Sequence, residues 1–158
     1  MGMTTFTGPV TAGDIVNTSG TTLGQNVANV GFVEMVQTVA VTQATNGTVA
    51  GLYTTTIVIP ANSQVLAIDL FVNVAWTGAA STFNVGTSAT ATELAIASDN
   101  TAAAIGRVSV SSGTSATRVN SWIDVGATDV RIYVLSTNTG SGTGYLSVRY
   151  AQAINLVP

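Results

Sequence analysis

The chain has 158 residues, of which 46% are apolar and only 7% charged, with a net charge of −3 at pH 7. The length suits one domain with a true core, while the charged fraction falls far below the roughly 25% of ordinary soluble domains. With no Lys, no His and no Cys, the chain has no basic footprint for nucleic acid or anionic lipid, no disulfide framework and no His/Cys zinc set.

Residues 1–30 carry Gly at 2, 8, 13, 20 and 24, Pro9 and scattered apolar positions. Neither helical nor strand periodicity lasts there, so the segment reads as an extended N-terminal arm ahead of a β domain spanning 31–158. The N-terminus has neither a basic region nor a continuous apolar run, so no secretory signal is read. No uninterrupted apolar stretch approaches the ~18 residues of a membrane span.

From residue 32 the signal is β. Residues 32–41 form a Val-rich strand. Leu52–Ile59 is rich in β-branched residues and ends at Pro60. Residues 65–76 are expected to alternate, with Leu66, Ile68, Leu70, Val72, Val74 and Trp76 facing a core and Asp69, Phe71 and Asn73 on a mixed opposite face. A turn around Gly78 leads to residues 82–85, with Phe83 and Val85 sharing a face. Residues 93–98 fit either a short strand or one helical turn. Strands are expected at 105–110, at 117–125 and at 130–135, the last pairing with 117–125 across a turn at 126–129. A Gly/Ser/Thr hairpin loop at 139–144 precedes the final strand, 145–153. About eight closely spaced strands without a βαβ rhythm predict an all-β fold, an antiparallel β-sandwich or jelly roll. The string Gly-Thr-Ser-Ala-Thr, at 86–90 and again at 113–117, reads as reused turn chemistry.

Little here points to catalysis. Ser–His–Asp and Cys–His systems lack their base, and Schiff-base chemistry lacks its Lys. Two carboxylates alone support glycoside hydrolysis, yet nearly all seven acids sit singly, with no aromatic-rich stretch to stack a sugar. Asp124, Asp129 and Asp99 flank turns. Calcium needs six to eight oxygen ligands, so these acids read as partners of local backbone amides. The expectation is a non-enzymatic protein without cofactor or metal. A weakly charged, apolar chain whose wet surface is carried by 26 Thr and 13 Ser also associates readily. Trp76 reads as core. Trp122, sharing a strand face with Arg118, Asn120 and Asp124, and Tyr133, beside Arg131, are candidate exposed anchors for a partner.

Several blocks resemble small virion proteins of tailed bacteriophages, capsid decoration (cement) or fibre-like components. They are Thr7-Gly8-Pro9-Val10-Thr11-Ala12-Gly13, Gly20-Thr21-Thr22 with Asn26-Val27-Ala28-Asn29-Val30-Gly31, Ala75-Trp76-Thr77-Gly78-Ala79-Ala80, Val85-Gly86-Thr87-Ser88, Trp122-Ile123-Asp124-Val125-Gly126 and Asp129-Val130-Arg131-Ile132-Tyr133-Val134. The resemblance implies a β-sandwich or jelly roll made in the host cytoplasm and bound to the exterior of an icosahedral head. Its partners would be the major capsid protein and further copies, as a homo-trimer or quasi-threefold cluster, with no nucleic acid and no membrane. Phe6, Pro9, Val10, Ile15 and Val27 of the arm are then the candidate contacts with capsid or neighbouring subunits. The alternative is a fibre or receptor-binding domain, in which Trp122 and Tyr133 carry the host contact.

Overall fold

The computed structural model describes residues 16–17, 27–28 and 32–153. The chain divides into two units, Met1–Gly31 with Ile154–Pro158, and Phe32–Ala153. In the first unit β1 (Val16–Asn17) pairs antiparallel with β2 (Val27–Ala28).

The second unit is an antiparallel two-sheet fold. One sheet has the order β3 (Phe32–Thr42), β9 (Thr143–Ala153), β5 (Ser63–Val74), β7 (Gly106–Ser109). The other has the order β4 (Leu52–Ile59), β8 (Val130–Ser136), β6 (Phe83–Gly86). Consecutive strands from β3 to β9 alternate between the sheets, which is the wrapping of a jelly roll. Beside β6, the place of a further strand is taken by the isolated bridges Val85↔Ala95 and Thr82↔Thr101. Residues 93–98, ambiguous in sequence, supply the first of these bridges and run into a 3₁₀ turn at Ala97–Asp99.

Strand alternation builds the core between the sheets. Val41, Ile68, Leu70, Val72, Leu146 and Val148 from one sheet meet Ile57, Ile59, Phe83, Val85, Ile132 and Val134 from the other. Each such side chain contributes about 1.5–3 kcal/mol on leaving water. Trp76 is 3% exposed and lies tilted against Phe83, ring centroids 5.3 Å apart.

Three expectations change. The alternation through β5 is broken by register shifts at Val65/Ala67 and Val72/Val74. Each extra residue reverses the facing of the residues after it. Val65 is therefore buried while Leu66 and Val74 are exposed; Ile68, Leu70 and Val72 stay in the core. Residues 117–125 are not a strand: Ala116–Ile123 forms helix α1. The partly buried positions there are Arg118, Ser121, Trp122 and Val125, a helical spacing, and the apparent alternation of Val119, Ile123 and Val125 is coincidental. Residues 126–129 therefore join helix to strand, and β8 pairs with β4 and β6 instead. The 139–144 loop likewise carries the chain from β8 in one sheet to β9 in the other, so it is a crossover and not a hairpin.

α1 closes one end of the sandwich. Trp122 and Val125 pack against the core, and the adjoining loop is tied to the start of β5 by Val125 N–H to Ser63 O (3.0 Å) and Asn62 N–H to Gly126 O (2.8 Å). At the other end, fully buried Gln43 joins three loops. Its amide donates to Thr77 O (2.6 Å) and Asn138 O (2.9 Å), and its oxygen accepts from Thr77 N–H (2.8 Å) and Gly142 N–H (3.3 Å).

Candidate functional site: the outer face of the four-stranded sheet

In β9 the even residues Leu146, Val148 and Tyr150 are buried in the core, so Tyr145, Ser147 and Arg149 project from the opposite face. Register aligns three rows across that face. Arg149 lies between Val36 and Ala67, Ser147 between Thr38 and Asp69, and Tyr145 between Ala40 and Phe71. β7 extends two rows, placing Ser109 beside Asp69 and Arg107 beside Phe71.

The polar groups satisfy one another. Arg107 grips Asp69 with both arms of its fork, Nε to Oδ1 and Nη2 to Oδ2 each at 2.9 Å, and Ser109 Oγ donates to Oδ1 at 2.9 Å. Arg149 Nε meets Glu34 Oε1 at 3.1 Å, and Thr38 Oγ1 donates to Ser147 Oγ at 3.1 Å. Burial pushes the Asp69 carboxyl up, but the hydrogen bonds from Arg107 and Ser109 and the two nearby guanidinium charges outweigh it, and the net shift is downward. Asp69 raises the Arg107 guanidinium in turn. An ionised carboxylate fully engaged by three donors is a poor general acid or base.

Among these pairs lies a shallow depression of about 190 Å³, lined by Val36, Ala67, Asp69, Phe71, Arg107, Ser147 and Arg149. Val36 (58%), Tyr145 (47%) and Phe71 (43%) are substantially exposed. Large aromatics flanked by matched charges are the composition of a protein-contact face. Nothing in it resembles a nucleophile with a base.

Among the described residues, the remaining acids lie in or beside loops. Asp124 Oδ1 accepts from Gly126 N–H (2.8 Å) within its own turn. Asp129 Oδ1 reaches across the fold to Ala61 N–H (3.0 Å). Asp99 lies 3.8 Å from Arg118. Glu93 accepts from Thr87 N–H (3.0 Å) and from the Ser88 hydroxyl, closing the loop after β6. Burial pushes the Glu93 carboxyl up, and these hydrogen bonds carry it below its usual range. Among the described residues no three His, Cys, Asp or Glu side chains cluster to hold a metal ion.

Of the residues singled out in sequence, Phe6, Pro9, Val10 and Ile15 lie outside the described residues. Val27 is in β2, opposite Asn17. Trp122 sits on α1, half-buried against the core, and its Nε1 donates to Leu94 O at 2.9 Å. Tyr133 is half-buried on the outward side of β8, between Thr54 and Gly86. The structure does not bring these two together with Asp69, Phe71, Arg107 or Tyr145, which do not stand out as site residues in the sequence. The mixed odd-numbered face of 65–76 signals Asp69 and Phe71 alone.

No family model matches the chain, and no curated protein matches it. Among solved structures it is similar to a chain described as the Cyanophage Pam1 capsid asymmetric unit, with 24% identity over 87% of this chain and 97% of that chain and a TM-score of 0.49.

Proposed function

We propose that this is a non-enzymatic virion structural protein that binds the outside of an icosahedral phage head and stabilises the expanded capsid lattice. One observation carries the reading: the outer face of the four-stranded sheet exposes Val36, Phe71 and Tyr145 between ion pairs that are already matched within the chain. Such a face supplies contact area without a reactive group. The sequence resemblance to small virion proteins, decoration or fibre-like, and the jelly-roll wrapping support a structural role.

A protein that binds the expanded lattice and not the unexpanded one shifts the equilibrium by its differential affinity. The partner is the major capsid protein, contacted by the sheet face and by an arm carrying Phe6, Pro9, Val10, Ile15 and Val27. The copies gather as a trimer or quasi-threefold cluster on the capsid exterior. A fibre or receptor-binding role would rest on Trp122 and Tyr133, and the Trp122 indole N–H is spent on Leu94 O.

The test is occupancy on purified heads. Removing residues 1–30 should leave a folded domain that no longer stays bound, and Phe71→Asp should lower occupancy with the fold intact. Full occupancy by both variants would contradict the proposal.

A further inference from the structure

The two sheets of Phe32–Ala153 have four edges, and three of them are protected. β7 is four residues long and carries Arg107. β6 is also four residues long and is bridged at Val85 and Thr82 by Ala95 and Thr101. β4 has a register irregularity between Thr54 and Val58, and the Asn46 side chain occupies the backbone of Thr54, accepting from its N–H (2.6 Å) and donating to its C=O (3.3 Å). β3 differs. It runs for 11 residues with no register shift against β9. It holds no Pro and no Lys, and its only charge is Glu34. Among the described residues it has a strand neighbour on one side only. Val33, Met35 and Val36 on it are 48%, 43% and 58% exposed. Long, straight, apolar edges of this kind are templates for strand addition, and stable monomers protect them.

The ladder fixes which backbone groups are on offer. Gln43 N–H donates to Gly142 O at 2.8 Å, continuing the β3–β9 register. Odd residues of β3 therefore bond to β9, and the N–H and C=O groups of Glu34, Val36, Thr38 and Ala40 point to the open edge. The β5–β7 side agrees: Val110 N–H donates to Ile68 O, so even residues of β5 face β7 and odd ones face β9.

We propose that the β3 edge pairs with β3 of a second copy, antiparallel about a two-fold axis at Gln37, joining two four-stranded sheets into one. Full overlap of Phe32–Thr42 sets each residue i opposite residue 74 − i of the other copy. This register places even residues opposite even ones, as the direction of the open-edge groups requires. Glu34 meets Ala40, so the strand's one charge never faces its like. Met35 meets Val39 and Val33 meets Val41 on the inner side, which covers Val33 and Met35, the two of these four that are exposed. A self-complementary two-fold contact is the commonest form of closed association. The pairing does not depend on a place in a virion, since a free β-module with this edge would associate in the same way.

The test is sedimentation and cysteine cross-linking of the full-length chain. Free in solution, apart from the threefold cluster proposed on the head, wild type is expected to sediment at twice the 15.9 kDa chain mass. Thr38→Pro removes an N–H that makes no bond within the sheet, and is expected to keep the fold by circular dichroism while sedimenting as a monomer. Val39→Pro, which removes a bond to β9, is expected to unfold the domain. The chain has no native cysteine, so Gln37→Cys gives a single thiol. Two such residues facing each other in a non-hydrogen-bonded pair have Cα atoms about 4.5 Å apart and should form an intermolecular disulfide. Thr42→Cys residues would lie roughly 34 Å apart and should not. Three results would each overturn the assignment: a wild-type monomer, a Thr38→Pro variant still of doubled mass, or equal cross-linking at 37 and 42. A wild-type monomer whose amides at 34, 36, 38 and 40 resist hydrogen exchange would assign the edge to the chain's own N-terminal segment.

Discussion

Gln43 is a single side chain on which one end of the sandwich depends. It is fully buried and makes four hydrogen bonds, to Thr77 N–H and C=O, Asn138 C=O and Gly142 N–H. Three loops from both sheets therefore meet on one amide. Gln43→Met keeps the length and shape of the side chain and removes every one of these bonds. Each bond is worth about 1 kcal/mol net, and each buried backbone group left without a partner costs about 1–3 kcal/mol. Some of the four groups will recover water as the loops relax, so the expected loss is about 3–5 kcal/mol. For a domain of this size that is a fall of about 10–20 °C in Tm. Gln43→Glu should be at least as damaging, because a carboxylate opposes Thr77 O and Asn138 O and adds a buried charge. Urea denaturation followed by tryptophan fluorescence measures the loss directly, since Trp76 lies next to this loop. A loss below about 1 kcal/mol for Gln43→Met would refute the idea that the amide organises this end of the fold.

Other outcomes rest on the same geometry. Gly51 has φ +80°, and a Cβ there would press on Ser136 O, so Gly51→Ala should cost at least about 2 kcal/mol by thermal denaturation. Trp122→Ala removes an indole packed on the core and its bond to Leu94 O, and should lower stability by about 3 kcal/mol. A change in binding with unchanged stability would show instead that the ring is a free anchor. Glu93 has a carboxyl held below its usual value of 4.5, so in acid the unfolded chain takes up the proton first and stability drains away. Its contribution is fully present above the usual value and is lost as pH falls through the lowered one. The stability gap between wild type and Glu93→Gln should therefore narrow on going from pH 7 to pH 2, and a gap independent of pH would contradict the role given to this carboxylate.

The strands are legible where local pattern and burial coincide. Leu52–Ile59 is bounded by composition and Pro60, and Phe83 with Val85 face the core as their spacing requires. Residues 116–123 mislead because a half-buried position there is Arg118, whose long side chain packs and bonds to Ser112 O (2.7 Å). Counting only apolar residues hides the helical period. The irregularities in β5 depend on how it meets β9, a strand about 80 residues later, and no local signal sets them. The same holds for the sheet face: Asp69 and Arg107 are 38 residues apart in sequence, and only the β5–β7 register brings them together. Gln43 sits among Thr, Ala and Asn just past the end of β3, and no local pattern marks its burial before the loops converge on it. Whether a strand lies at an edge is likewise a property of the sheet order. Residues 32–41 read correctly as a strand, yet the openness of β3 appears only in the topology.

The proposed role as a lattice component of a phage head is tested most directly by copy number in purified particles, by quantitative mass spectrometry against the major capsid protein. An abundance comparable with the shell subunit is expected. A few copies per particle, or none, would contradict it.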